Sequence, residues 1–113
     1  MGIFSSRNKD DDSDAGYNKG SALAKLGRQE EAIGCYDEVI KINPEDSDAW
    51  YNKGRSLAQL ERREEAIGCY DEVIRLNPEY SKAWSNKGDS LKKLGRYIEA
   101  EKWFAKFKEL NKY

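Results

Sequence analysis

The chain has 113 residues, 36% of them charged, with a formal net charge of −1. That is room for one small domain, and so balanced a total offers no long-range field to a nucleic acid or a membrane surface. No apolar run approaches the roughly 20 residues that span a bilayer, and no signal-peptide pattern is present, so a cytoplasmic location is expected. The near-neutral total hides a gradient. Residues 1–46 carry 6 basic and 10 acidic groups, residues 47–80 carry 5 and 7, and residues 81–113 carry 9 and 4.

Residues 1–12 are polar, charged and turn-forming, which predicts a disordered tail. The tail begins Met1-Gly2-Ile3-Phe4-Ser5-Ser6, which fits the loose myristoylation pattern with Gly2 as acceptor. Arg7 and Lys9 would favour an anionic lipid surface, and Asp10, Asp11, Asp12 and Asp14 would oppose it. A lipid-anchored scaffold is therefore a minor alternative, and membrane attachment is not the expectation.

From Ser13 onward one 34-residue pattern recurs. Residues 13–46 and 47–80 are identical at 25 of 34 positions, and residues 81–113 keep 14 of 33. A fixed period of this size marks stacked supersecondary units. Each unit holds two helical patterns around a turn, the first helices over about 14–26, 48–60 and 82–94. Ala49, Trp50, Gly54, Leu57 and Leu60 form one face of the middle one. The second helices cover about 29–42, 63–76 and 97–110, with Ala66, Ile67, Tyr70, Val73 and Ile74 as the middle stripe. Asn43-Pro44 and Asn77-Pro78 stop them, because proline disfavours helical geometry in the residue before it. Cys35 and Cys69 fall one period apart. Equivalent residues on stacked helices sit roughly 8–10 Å apart, beyond the limit of about 7 Å for a disulfide, so both are expected as free thiols.

The run Ala49-Trp50-Tyr51-Asn52-Lys53-Gly54, Leu57, Leu60, Arg62, Glu65-Ala66, Tyr70, Val73, Leu76-Asn77-Pro78 resembles the tetratricopeptide repeat. The resemblance covers about residues 13–113 in three registers, and its wording is most similar to repeats of archaea and other prokaryotes. It implies an all-α, right-handed superhelical solenoid of three helix-turn-helix units, with a concave groove lined by the first helices.

Three departures stand out. Gly16 replaces the tryptophan seen at Trp50 and Trp84, so the first unit should be less tightly packed and fray first. Glu61 replaces the inter-helix glycine of Gly27 and Gly95, where a left-handed backbone would cost about 1–2 kcal/mol. The pairs Ile33/Ile40 and Ile67/Ile74 become Glu101 and Lys108 in the last unit, the polar outer face expected of a terminal repeat, and the array is expected to stop there. Trp103, Phe104 and Phe107 are expected either to add packing to the last helix or to form an exposed aromatic patch. Lys19, Lys53 and Lys87 are expected to cover neighbouring apolar surface with their stems.

In the family the second, fifth, ninth and twelfth residues of each unit line the groove. Here they are Asp14, Tyr17, Ser21 and Ala24; Asp48, Tyr51, Arg55 and Ala58; and Lys82, Ser85, Asp89 and Lys92, with Asn18, Asn52 and Asn86 alongside. Tyrosines offer an apolar face with a hydroxyl, and asparagines a donor and an acceptor for peptide backbone. The expected contact residues for a peptide or a partner helix are Tyr17, Tyr51, Asn52, Arg55, Lys82, Asn86 and Asp89. The asparagines have a second possible role, hydrogen bonds between units. Of the five positions with which some members clamp a chaperone C-terminal carboxylate, only Asn52 and Lys82 match; Tyr17, Ser21 and Asn86 do not.

No catalytic site, metal or cofactor is expected. There is no histidine, which removes the usual general base and triads, and two thiols alone make a poor zinc site. The paired glutamates at 30–31 and 64–65 point apart on a helix, and residues 18–21 do not make a phosphate loop. Nucleic-acid binding is not expected, because Asp14, Asp48 and Asp89 share the groove with the lysines. The chain is thus expected to be a non-catalytic protein-interaction adaptor, monomeric or weakly dimeric. Head-to-tail self-association, acidic first unit against basic third, is the alternative.

Overall fold

The computed structural model describes residues 9–112, which form six α-helices and no strand. α1 covers Lys9–Lys25, α2 Gln29–Ile42, α3 Ser47–Gln59, α4 Arg63–Leu76, α5 Ser81–Lys93 and α6 Tyr97–Leu110. The second helices have the bounds that their pattern predicts, and the all-α solenoid holds. α1 is already helical at Lys9, whereas the pattern predicts the first helix from about residue 14, so residues 9–12 belong to the helix. Gly2 and Ser6, which carry the lipidation pattern, lie outside the described residues.

Each helix packs on the next in chain order. The first helices of neighbouring units also meet, α1 with α3 and α3 with α5, whereas the second helices do not. The stack therefore curves with its first helices on the inner side, and it measures 58 × 30 × 20 Å.

Within each unit the hairpin ends in a left-handed residue, Gly27 (φ 81°), Glu61 (φ 63°) or Gly95 (φ 82°). The amide after it, at Arg28, Arg62 or Arg96, reaches back to Leu23, Leu57 or Leu91 at 2.9 Å in all three, the pattern that satisfies the last carbonyls of a helix. Glu61 thus adopts the backbone that its glycine counterparts adopt more cheaply. Between units, the side chain of Asn43 accepts from the Glu45 amide and that of Asn77 from the Glu79 amide, both at 3.2 Å. Each such turn ends the helix before its proline.

The two helices of a hairpin approach through glycine. A Cβ added at Gly20, Gly54 or Gly88 would lie 2.7, 2.6 or 2.9 Å from the ring of Tyr36, Tyr70 or Phe104. Ala32, Ala66 and Ala100 complete the contact and are buried. Trp103 and Phe104 are half-buried against Ile67, Leu91 and Ala100, and Glu101 and Lys108 are exposed. Trp50 and Trp84 donate their indole N–H groups to the carbonyls of Pro44 and Pro78 at 2.9 Å. Cys35 and Cys69 are free thiols, the first half-buried and the second buried.

Candidate functional site: the concave face

Helix periodicity puts the fifth and ninth residues of each 34-residue unit on the inner side, and the curvature brings α1, α3 and α5 together there. Two cavities of about 310 and 290 Å³ open along this face. The larger lies between the second and third units and is lined by Arg55, Gln59, Arg63, Asn86, Asp89 and Lys93, among others. The smaller lies between the first and second and is lined by Ser21, Lys25, Gln29, Asn52, Arg55 and Gln59, among others. Arg55 and Gln59 line both.

The seven expected contact residues divide. Arg55, Asn86 and Asp89 converge on the larger cavity, and Asn52 with Arg55 on the smaller. Arg55 is exposed and its guanidinium lies 5.9 Å from the centre of the Tyr51 ring, within cation–π range. Tyr17, Tyr51 and Lys82 line neither cavity. Lys82 is exposed, whereas Tyr51 is 8% exposed and packs on Tyr70 and Tyr80, with ring centres 6.1 and 5.0 Å apart.

The asparagines are engaged between units. Asn52 donates to the Tyr17 hydroxyl and to the Asp48 carbonyl, both at 2.8 Å, and Asn86 donates to the Tyr51 hydroxyl at 2.9 Å. Asp48 is engaged as well, accepting from the Tyr80 hydroxyl at 2.7 Å. Burial first, and then the Asp48 carboxylate, raise the phenols of Tyr17 and Tyr80 above the ordinary tyrosine range, so both remain neutral hydrogen-bonding groups. Lys93 pairs with Asp89 at 3.3 Å. Among the described residues no three acidic or thiol groups converge as a metal cage, and no helix is long and apolar enough to cross a membrane.

Gln29, Gln59, Arg63 and Lys93 line the cavities although groove periodicity does not select them. They stand at helix ends beside the hairpin turns, which the curvature folds toward the inner face. Gln29 donates to the Ala24 carbonyl at 3.2 Å and leaves its side-chain oxygen buried without a partner. In the sequence the one signal for it is a polar residue at the first position of a second helix.

A family model described as tetratricopeptide repeat matches residues 51–112, and one described as TPR repeat matches residues 20–61. Among solved structures, MamA is 27% identical with a TM-score of 0.87, over 88% of this chain and 58% of its own. The chain thus spans a little over half the length of MamA. The second TPR of Spaghetti (RPAP3), bound to HSP90 peptide SRMEEVD, is 25% identical with a TM-score of 0.85, over 90% of this chain and 96% of its own. YrrB, described as a TPR protein with an unusual peptide-binding site, is 22% identical with a TM-score of 0.82, over 87% and 50%, and at that identity the likeness concerns the fold alone. No curated protein sequence matches the chain significantly. Three registers of one 34-residue pattern, six helices in hairpins and a family model over more than half the sequence agree: the chain belongs to the tetratricopeptide repeat family.

Proposed function

We propose that the chain is a non-catalytic protein-interaction module that holds an extended peptide or a partner helix on its concave face. The observation that carries this is Arg55, exposed and shared by two consecutive cavities along the groove. A guanidinium supported by an aromatic face presents a fork to carboxylates and backbone carbonyls. Gln59 and Asp89 add acceptors and donors along the same two cavities.

A protein of similar fold, the second TPR of Spaghetti (RPAP3), binds an HSP90 peptide. This chain's version is not built for that ligand. Asn52, one of the two matching clamp positions, already donates to Tyr17 and Asp48, and Tyr17 and Asn86 supply no positive charge. The favoured ligand is an internal segment with an acidic or amide side chain at Arg55, and not a chain terminus.

The test is selection of a displayed random-peptide library on the wild-type protein, followed by binding of the selected peptides to Arg55→Glu. That exposed substitution should leave the circular dichroism spectrum unchanged and cost no more than the exposed contact with Tyr51, about 0.5–1 kcal/mol. Peptides that lose at least about tenfold in affinity, a cost of about 1.4 kcal/mol, would support the concave site. Equal binding by the variant would place the site elsewhere.

A further inference from the structure

Both junctions between units are closed by one set of contacts. At the first, Asn52 reaches the Tyr17 hydroxyl (2.8 Å), Lys53 pairs with Asp37 (2.7 Å) and Arg62 reaches Glu30 (3.4 Å). At the second, Asn86 reaches Tyr51 (2.9 Å), Lys87 pairs with Asp71 (2.6 Å) and Arg96 reaches Glu64 (3.8 Å). Every donor is on the following unit and every acceptor on the preceding one. Beneath them lie apolar side chains that the preceding unit covers: Ala49 and Ala83 are fully buried, and Leu57 and Leu91 are 1% exposed. The junction therefore has a direction, from a cationic, amide-bearing front to an anionic, hydroxyl-bearing rear.

The first unit keeps the front of such a junction with nothing on it among the described residues. Asn18 and Lys19 stand where Asn52 and Lys53 stand, and both are exposed. Arg28 holds Glu31 through Nε and Nη2 (2.6 and 2.7 Å), as Arg62 holds Glu65. That leaves Nη1, the atom that Arg62 and Arg96 extend across their junctions. Ala15 is exposed where Ala49 and Ala83 are buried, Leu23 is half-buried where Leu57 is buried, and Leu26 is 71% exposed.

We infer that this front face is a docking surface for the rear face of a further tetratricopeptide-type unit lying outside residues 1–113. The tyrosine hydroxyl, aspartate and glutamate of that unit would meet Asn18, Lys19 and Arg28. Its apolar residues would cover Ala15, Leu23 and Leu26. A second copy of this chain does not fit, because its last unit has lost the rear set. Ser85 replaces the tyrosine, Ala105 the aspartate and Ile98 the glutamate, while Glu101 and Lys108 replace the two isoleucines. The head-to-tail alternative thus lacks both its ion pairs and its apolar patch.

The test supplies the missing rear face on a probe. The probe is this chain with Ser85→Tyr, Ile98→Glu, Glu101→Ile, Ala105→Asp and Lys108→Ile, and with Lys19→Glu to silence its own front. Sedimentation should show the wild type alone as a monomer and a 1:1 complex on mixing with the probe. Lys19→Glu in the wild-type partner should weaken that complex at least about tenfold, because it sets like charges opposite each other. A folded probe that forms no complex overturns the inference, and so does wild-type self-association that Lys19→Glu abolishes, which would make a second copy the occupant. Should the probe not fold, a copy of residues 47–80 is inserted directly before Ser13. Lys19→Ala should then lower the melting temperature of the extended chain by several degrees and leave that of the wild type unchanged. Equal shifts in the two backgrounds overturn the inference.

Discussion

The Asn52 side-chain amide donates to the hydroxyl of Tyr17, 35 residues earlier, at 2.8 Å, and Asn86 repeats the contact with Tyr51 at 2.9 Å. These asparagines therefore join unit to unit before they meet any ligand. Removing either amide leaves a half-buried or buried tyrosine hydroxyl short of a donor, a loss of about 0.5–1.5 kcal/mol. Asn52→Ala and Asn86→Ala should each lower stability in urea titrations by that amount. The cycle with Tyr17→Phe should be non-additive, because the two substitutions break the same bond. Strict additivity would show that the bond contributes nothing.

Glu61 holds φ at 63° in a turn where its counterparts are Gly27 and Gly95. A left-handed backbone costs a residue with a Cβ about 1–2 kcal/mol, partly offset because glycine loses more freedom on folding. Nothing crowds the two glycine sites within 4 Å, so the penalty is conformational and not steric. Glu61→Gly should stabilise by about 1 kcal/mol, a rise of several degrees in melting temperature. An unchanged or lower value would contradict the turn geometry.

The hairpins and their turns were legible because helix periodicity and punctuation are local. The stripe from Ala66 to Ile74, the Asn-Pro stops and the glycines at 27 and 95 each depend on neighbours a few residues away. The lining of the two cavities was only half legible. Arg55 and Asp89 follow from their place on a helix face, but Tyr51 is set aside by a partner 19 residues on, Tyr70, and by Tyr80. The Asn52–Tyr17 and Lys53–Asp37 contacts depend on how far one helix slides along the next, which no periodicity encodes. The helical state of residues 9–12 was not legible because an acidic run carries no apolar periodicity.

Gly54 marks the place where α3 and α4 come closest. A Cβ there would sit 2.6 Å from Cε1 of Tyr70, a ring that is 1% exposed and has no room to withdraw. Overpacking of this kind costs about 1–3 kcal/mol, more than the roughly 1 kcal/mol of helix propensity that alanine gains over glycine. Gly54→Ala should therefore destabilise the protein. Combining it with Tyr70→Phe should give no relief, since Cε1 and not the hydroxyl is in the way, whereas Tyr70→Leu should recover part of the loss. A stabilised Gly54→Ala would show that the helices can part at no cost.

The alkaline limit of stability follows from the same burial. Burial pushes the Cys69 thiol up to about 11 from an ordinary value of 9.0. Burial likewise raises Tyr70, and burial together with the bond to Asp48 raises Tyr80, above the ordinary 10.0. Each of these groups keeps its proton more tightly folded than unfolded. Their contribution is complete below the unfolded values, about 9 for the thiol and 10 for the phenols, and drains away as pH rises through the folded ones. The melting temperature should be level to about pH 9 and fall steadily above it, with a shallower fall in Tyr80→Phe. The thiols give an independent check at neutral pH. Cys35 is half-buried and Cys69 is 4% exposed, so a thiol reagent should label one site quickly and the second only as fast as the hairpin opens. Peptide mapping should identify the fast site as Cys35, and Cys35→Ser should abolish the fast phase alone. Two equally fast sites would mean that the α4 packing face is open in solution.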